Sequence, residues 1–476
     1  MIRRAVTLAA IASLTACSLA PPYARPEAPV PPSWPVGDSY LKSSEAALPA
    51  VRYQDIFRDP RLQALIAQAL ANNRDLRVAA ANIAIARGQF RIQRAALLPE
   101  VDAGAGATYR GGQGNAQATR SYSATLGITA FELDLFGRVR SESDAALNNY
   151  FATEAAARSV RLTLIGDIAQ TWLDYASDKS LLKIAQDTVA SAQKSVDLTQ
   201  QRLDGGIAPR TDLRQAQLTL EAAKADAARQ TTALAQDVNA LQLLAGAPID
   251  PADLPNSIDE AGATLAELPA GLDSAILLRR PDVVEAEYQL RSANAEIGVA
   301  RAALFPKISL TGLVGFVSSA LGSLFTGGTF NWQAAPGASY PIFRAGAGKA
   351  NVAVSKAQRD AALATYEKAI QTAFREVADA LAQRGTITDQ LNANQSLLAA
   401  AADNYQLTDK RYRGGIDSFL DSLVAQRSLY SAQQTLVATQ LTRASNLVTL
   451  YRVLGGDSLV EATKTGPQPA DAPPAR

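Results

Sequence analysis

Four short segments of the chain alternate between apolar and small polar residues with a period of two. They cover about 100–110, 121–134, 307–317 and 329–343. The first sets Val101, Ala103, Ala105, Ala107 and Tyr109 against Asp102, Gly104, Gly106, Thr108 and Arg110. Such alternation is typical of strands with one apolar and one polar face, and it predicts two β-hairpins. A hairpin of a soluble protein shows the same pattern, so alternation alone does not place these strands in a membrane.

Long stretches without proline follow each predicted hairpin, from 139 to 208 and from 350 to about 455. About 65 helical residues at 1.5 Å each would span about 100 Å. Apolar residues recur there at spacings of three, four and seven, which is typical of helices that pack as coiled coils. The series are Leu162, Ile165, Ala169, Trp172, Ala176; Leu213, Leu220, Ala227, Leu234, Leu241; and Leu398, Ala401, Tyr405, Thr408, Tyr412.

The chain also repeats itself. RAALLP at 94–99 matches RAALFP at 301–306 with an offset of 207, and GGI at 205–207 matches GGI at 414–416 with an offset of 209. Several matches in order at nearly one offset indicate a duplication, with repeats at 60–245 and 270–455. The pairs Gly205-Gly206 and Gly414-Gly415 then permit a tight reversal at the tip of each helical hairpin.

The N-terminal segment predicts a secreted, lipid-anchored protein. Arg3 and Arg4 precede a short apolar run, and residues 1–16 read as a signal peptide. The run ends in Leu14-Thr15-Ala16-Cys17, which resembles the bacterial lipoprotein box, so Cys17 is the predicted site of lipid attachment. Acyl chains anchor a protein to a membrane without making it span one. The alternative is an ordinary signal peptide with an incidental cysteine.

Composition excludes several classes of function. The chain has 46 Lys+Arg, 45 Asp+Glu and no His, so no basic excess points to nucleic acid. Absence of His removes imidazole metal ligands and every nucleophile system that needs a His base. With no phosphate loop and no metal-spaced cluster in the sequence, we expect neither catalytic residues, nor a metal, nor a cofactor. The protein is therefore predicted not to be an enzyme.

The number of strands predicts an assembly. Four strands cannot close a barrel in lipid, where open sheet edges are not tolerated. Membrane barrels need at least about eight strands. If these strands span a membrane, several chains must contribute to one barrel, with the helical hairpins arranged around an axial bore.

Several motifs together resemble the TolC-like outer-membrane factors, and more closely the NodT-type lipoprotein branch that serves RND efflux pumps. The resemblance covers the mature chain to about 456. The motifs are the lipobox, Ala20-Pro21-Pro22-Tyr23, Asp134-Leu135-Phe136-Gly137-Arg138, Leu278-Arg279-Arg280-Pro281-Asp282-Val283 and Arg411-Tyr412-Arg413-Gly414-Gly415.

The resemblance implies an α+β membrane protein. Its homotrimer would form a 12-stranded β-barrel, with four strands per chain, continued by a long α-helical coiled-coil barrel. An equatorial collar would comprise the Pro-rich tether 17–59, the linker 246–269 and the tail 456–476, which ends in disorder. Implied partners are a periplasmic membrane-fusion (adaptor) protein, an inner-membrane RND transporter and outer-membrane lipid. The implied location is the outer membrane, lipid-anchored, with the helical tunnel in the periplasm.

The resemblance also implies a periplasmic gate at the helix tips. By position it maps onto the acids Asp212, Asp417 and Asp421 and onto Arg210, Arg411 and Tyr412, with Gly205, Gly206, Gly414 and Gly415 at the tips facing the partner. The residues themselves leave other roles open. Asp212 and Asp421 fit helix-end caps, Asp417 an exposed loop residue, and Arg411 and Tyr412 packing between helices.

The function implied is a passive exit duct of a tripartite RND-type efflux pump for drugs or other small compounds. Two alternatives stay open. One is an outlet for a type I protein secretion system, since the same fold serves that route. The other is a structural envelope lipoprotein without a pore, which the four alternating segments disfavour because a spacer needs none.

Overall fold

The computed structural model describes residues 18–31, 33–35, 52–111, 119–267, 274–463 and 465–468. The signal peptide and the predicted lipid site Cys17 lie outside the described residues, as do 469–476 of the tail. Within the described ranges, no helix combines the length and the apolar character that crossing a membrane requires.

Long helices dominate the first repeat. After α1 (Tyr53–Ile56), α2 (Pro60–Asn72) and α3 (Arg74–Ala95), the strands β1 (Val101–Arg110) and β2 (Thr119–Glu132) follow. The hairpin of α4 (Arg138–Asp204) and α5 (Arg210–Ala245) completes the repeat. At 67 residues, α4 is about 100 Å long.

The second repeat has a similar order of elements, with a 3-10 helix at Ser274–Arg279 in the place of α2. The short helix α6 (Ile258–Ala263) lies in the linker, and α7 (Pro281–Ala302) opens the repeat. The strands β3 (Lys307–Ser318) and β4 (Phe330–Ser339) precede the hairpin of α8 (Ala347–Arg413) and α9 (Phe419–Val453). A short ladder of β5 (Ala462–Thr463) and β6 (Gly466–Pro467) follows.

The four long strands form one antiparallel sheet in the order β1-β2-β3-β4, so β1 and β4 are its edges. The expected four strands are therefore present, and β2 and β3, from different repeats, pair in the centre. The strand limits differ slightly from those predicted. β4 ends at Ser339 rather than near 343, before Pro341, which has no N–H to donate to a ladder.

The motif at 134–138 fastens strand to helix. The Asp134 carboxylate accepts from the backbone N–H groups of Val139 (3.2 Å) and Arg140 (2.9 Å) at the start of α4. Arg138 donates to Glu132 at the end of β2 over 2.7 Å. Gly137, the N-cap, has φ 71°, where a side chain would be strained. These contacts fix the direction in which the helix leaves the sheet.

The motif at 279–282 also has a structural role. Arg280 is extended (φ −64°, ψ 138°) and α7 begins at Pro281, because a residue before proline is driven out of the helical region. The Arg280 guanidinium is buried, donates to the Val453 carbonyl over 2.8 Å, and pairs with Glu376 at 2.9 Å. The motif therefore ties the start of α7 to the second hairpin.

The main hydrophobic core lies where both repeats and the linker meet. Its largest fully buried side chains include Trp172 of α4, Tyr366 of α8, Tyr451 of α9 and Phe57. The Trp172 Nε1–H donates to the Asp253 carbonyl in the linker over 3.3 Å. Elsewhere the helices pack against each other through the apolar series that the sequence analysis identified. The first two apolar series are buried at all positions but Ala227, which is half-buried.

Two glycines mark a close approach of β2 and β3. A Cβ at Gly127 would clash with the Gly312 carbonyl, and one at Gly315 with the Ala124 carbonyl. We expect Gly127→Ala or Gly315→Ala to cost at least about 1–3 kcal/mol, because backbone must shift. The measurement is the yield of protease-resistant protein. Gly312→Ala, on β3 like Gly315, is the control, since a Cβ there meets nothing within 4 Å. Equal yields for all three variants would contradict the prediction.

Candidate gate at the hairpin tips

Both helical hairpins turn with the same backbone geometry. The Gly205 N–H donates to the Gln201 carbonyl over 3.0 Å, and Gly414 N–H to Lys410 over 3.0 Å. The next glycine of each pair, Gly206 or Gly415, has φ of 74° or 72°, in the left-handed region that glycine adopts freely. The isoleucine after each pair is exposed, Ile207 by 72% and Ile416 by 68%. The repeats thus present two similar tips, each with an exposed isoleucine.

Side chains on both sides of the turn make the two tips different. In the second tip, Arg411 forms a two-pronged ion pair with Asp417, Nε to Oδ2 at 2.7 Å and Nη2 to Oδ1 at 2.8 Å. This hydrogen-bonded guanidinium lowers the pKa of Asp417. The pair closes within one tip rather than between helices of the two hairpins.

Asp421 lies in the first turn of α9 and takes part in its cap. The Ser418 backbone N–H donates to the Asp421 carboxylate over 3.2 Å, and the Asp421 backbone N–H donates to the Ser418 hydroxyl over 3.3 Å. This reciprocal arrangement is a capping box. One Asp421 oxygen is therefore committed to the helix end.

The first tip has no matching network. Asp212 is half-buried in the first turn of α5, and its side chain does not cap the helix. Arg210 is exposed. Among the described residues, neither side chain has an ion-pair partner within the chain. The arrangement leaves one carboxylate and one guanidinium of the first tip available for contacts beyond its own hairpin.

Tyr412 packs between the two hairpins. It is buried (6% exposed) with Ala216 of α5 and with Phe419 and Leu423 of α9. The Arg202 guanidinium lies 4.7 Å from the Tyr412 ring centroid and donates to the Tyr412 carbonyl over 3.1 Å. A cation over an aromatic face is attracted by its quadrupole. Tyr412 therefore joins the hairpins of one chain by packing, and its hydroxyl is buried without a hydrogen-bond partner among the described residues.

Sequence reasoning did not single out Arg202 and Phe419 for this contact. The repeat offset of 209 pairs Arg202 with Arg411, yet the two arginines do different things. Arg202 crosses to the other hairpin, whereas Arg411 bonds within its own tip. The only available signal was the apolar Phe419 directly after the second turn.

A second polar centre lies at the N-terminal strap, which we define as residues 19–25. Glu287 of α7 is fully buried and faces Arg25 at 2.8 Å and Arg291 at 3.1 Å. The Tyr23 hydroxyl donates to Glu287 over 3.2 Å. The Arg25 contact is an ion pair with Glu287 Oε2.

Backbone contacts hold the rest of the strap along α7. Asn294 donates to the Pro21 carbonyl over 2.8 Å and Arg301 to the Leu19 carbonyl over 3.0 Å. A Cβ at Gly298 would lie 2.8 Å from the Ala20 Cβ, so only glycine leaves room for the strap there. The N-terminal end of the strap thus lies beside the last turn of α7, which leads into β3.

Three carboxylates gather on the first hairpin, away from its tip. Burial, followed by the charges of Asp178 and Asp174, raises the pKa of Asp237 to about 6. The Asp237 Oδ2 atom is buried without a donor among the described residues, while Asp178 lies within hydrogen-bond range of a protonated Asp237. The positive charge of Arg229 acts on Asp178, where it opposes the rise in the pKa of that acid. No group of three such acids, in the part of the chain described, has metal-site geometry.

This raised pKa predicts a pH dependence of stability. The folded chain binds a proton at Asp237 more tightly than the unfolded chain, so its contribution to stability grows as pH falls through about 6. We expect Asp237→Asn to raise the midpoint of thermal unfolding at pH 7 and to reduce its change between pH 7 and 5. The exposed Asp197→Asn is the control. A parental pH profile in Asp237→Asn would contradict this.

Comparisons with known proteins agree on one family. The family profile described as outer membrane efflux protein matches residues 65–247 and again 272–456, once per repeat. A probable efflux pump outer membrane protein, TtgC of Pseudomonas putida, is 46% identical over 451 residues, 93% of this chain and 93% of its own. The cation efflux system protein CusC of Escherichia coli is 38% identical, over 93% of this chain and 97% of its own.

Solved structures show the same fold. A crystal structure of CusC has a TM-score of 0.84 at 38% identity and covers 92% of this chain and 100% of its own. The open state of the Neisseria gonorrhoeae outer membrane channel MtrE has a TM-score of 0.83 at 38% identity, over 93% of this chain and 98% of its own. Both similarities extend over the sheet and the long hairpins together.

Proposed function

The chain belongs to the outer membrane efflux protein family, and from that premise we propose that it is the exit duct of a tripartite RND-type efflux pump. It conducts drugs or other small compounds passively from the periplasmic pump assembly to the exterior. The duct performs no catalytic step, so the energy for transport comes from a partner.

The observation that carries the proposal is the two-faced sheet with two open edges. One face has apolar residues on every strand. The other has mostly glycine and polar residues, with Leu313 and Val317 of β3 as apolar exceptions. In the part of the chain that the structure describes, β1 and β4 are unpaired along their outer sides. Because lipid does not satisfy open edges, three chains would join β4 to β1 in a 12-stranded barrel.

The long hairpins extend from this sheet and suit a tunnel through the periplasm. In the proposed homotrimer, six tips would surround the axis at the end remote from the barrel. The exposed Ile207 and Ile416, next to the glycine pairs, offer apolar contacts to a membrane-fusion (adaptor) protein, which in turn joins an inner-membrane RND transporter. Cys17 would carry the acyl chains that enter the outer membrane beside the barrel.

The tips are also the proposed gate. Within the second tip, the Arg411–Asp417 pair and the Ser418–Asp421 cap stiffen the turn. Arg210 and Asp212 of the first tip are free to pair with tips of neighbouring chains. Tyr412 keeps both hairpins of one chain together, so they would move as a unit when the partner opens the tip.

Dye accumulation in the native host tests the function. Deleting the gene should increase accumulation of ethidium, and re-expression should restore the parental level, because the pump loses and regains its outlet. Unchanged ethidium with loss of a secreted protein from the medium would identify a type I secretion outlet instead. Unchanged ethidium and secretion would favour a structural envelope lipoprotein.

A further inference from the structure

The apolar face of the sheet continues from β1 to β4 and ends in a distinct rim. On this face Tyr109 pairs with Arg120 in register, and Ala124 pairs with Phe316, which in turn pairs with Phe330. The helices join the sheet at the opposite end, so the rim lies toward the cell exterior in the proposed duct. We call the residues Tyr109, Arg120, Tyr122, Phe316, Phe325 and Phe330 the outer rim.

Arg120 is an unusual residue on this face. It is exposed, stands 6.0 Å from the centroid of the Tyr109 ring, and is paired with no carboxylate among the described residues. The hydroxyls of Tyr109 and Tyr122 lie 2.9 Å apart beside it. A guanidinium with two phenolic hydroxyls on a lipid-facing surface offers hydrogen-bond donors to an anionic group, above all a phosphate.

The turn between β3 and β4 adds an apolar half to the same rim. Phe325 folds back so that its ring centroid is 5.4 Å from that of Phe316, and Phe316 is 6.0 Å from Phe330. Phe325 remains 73% exposed and the neighbouring Leu321 65% exposed. The turn therefore leans onto the apolar face and extends that face outward, where acyl chains would cover it.

The two hairpins differ in charge near the outer rim. No charged side chain lies between Lys307 and Arg344, so the second hairpin offers only apolar and neutral polar groups. The first hairpin has Arg110 and Arg120 next to its turn, and only Arg120 is on the apolar face. The rim thus combines one cation on β2 with an aromatic platform on β3 and β4. The platform lies one to two strands across the sheet from Arg120 and four residues, roughly 13 Å, nearer the helical end.

We propose that the outer rim binds one phosphorylated, multi-acylated lipid of the outer leaflet. The phosphate is held by Arg120 with the Tyr109 and Tyr122 hydroxyls, and the acyl chains lie on Phe316, Phe325 and Phe330. The inference rests on the proposed function, because it needs the sheet to span the outer membrane with this face toward lipid.

Lipid retention in native mass spectrometry tests the site. The full-length protein in detergent is titrated with bisphosphorylated, hexa-acylated lipid A. We expect Arg120→Gln to weaken binding about tenfold, because a charge-assisted contact to phosphate is lost. Phe325→Ser should weaken it by a smaller factor. Arg110→Gln is the matched control, since Arg110 flanks the same turn on the opposite face, and it should bind as the parent does.

The outcomes separate this proposal from the proposed duct. Single-channel conductance should be unchanged in Arg120→Gln and Phe325→Ser, because neither residue faces the lumen. Parental lipid A binding by Arg120→Gln, or an equal loss in Arg110→Gln, would overturn the lipid site and leave the duct intact. A parent protein that forms no channel would instead contradict the proposed function.

Discussion

Replacing Asp212, Asp417 and Asp421 together by Ala is expected to raise single-channel conductance in planar bilayers by about twofold or more. The same replacement should weaken the preference for cations, because rings of acids select cations in pores. Loss of Asp417 frees Arg411 from its two-pronged contact, and loss of Asp421 removes half of the cap of α9. Both changes loosen the second tip. Loss of Asp212 removes the half-buried acid available to neighbouring tips.

Single variants and a remote acid sharpen this test. Asp187→Ala on α4 is the control, because Asp187 is an exposed acid about 26 Å along the helix from the tip. Arg411→Ala should resemble Asp417→Ala, since the two side chains form one contact. If the triple variant conducts with the parental magnitude and selectivity, these acids do not form the gate, and the packing around Tyr412 becomes the candidate constriction.

Glu287→Ala is expected to release the N-terminal strap and to cost about 3–5 kcal/mol, because it leaves buried guanidinium groups without their counter-charge. Glu287 is fully buried, and the Arg25 side chain is 9% exposed. Hydrogen–deuterium exchange of the strap, residues 19–25, gives the direct measurement, and its backbone amides should exchange faster in the variant.

Two further variants show whether the effect is local. Glu285→Gln, on the same helix but outside the strap contacts, should leave strap exchange unchanged. Gly298→Val should release the strap by a different route, because its side chain would overlap Ala20. Protection of residues 19–25 in Glu287→Ala that equals the parent's would show that the ion pairs do not hold the strap.

The elements were predictable because their patterns are local. Period-two alternation located all four long strands, and stretches free of proline located the long helices. The limit of β4 was less accurate, because apolar residues continue past Ser339 although Pro341 no longer fits the ladder. The order of strands followed only in part, since nothing in the sequence states that β2 and β3 pair across the repeats.

The contacts of the candidate gate were less accessible. Sequence position placed Asp212 and Asp421 in the first turns of returning helices, where the structure has them. The contact of Arg202 with Tyr412 joins residues 210 positions apart. Such packing depends on how the two hairpins lie against each other, which heptad spacing leaves open. Whether the tip residues gate the channel stays a prediction.

Cysteine cross-linking between the sheet edges tests the central claim most directly. Ala103, Ala105 or Ala107 of β1 is paired with Ala334 or Ala338 of β4, each replaced by Cys, in a chain whose only native cysteine is Cys17. A three-chain barrel predicts, for the pairs in register, oxidised products of two and three chains and none larger. No interchain product for any pair, or products that grow beyond three chains, would contradict a trimeric exit duct.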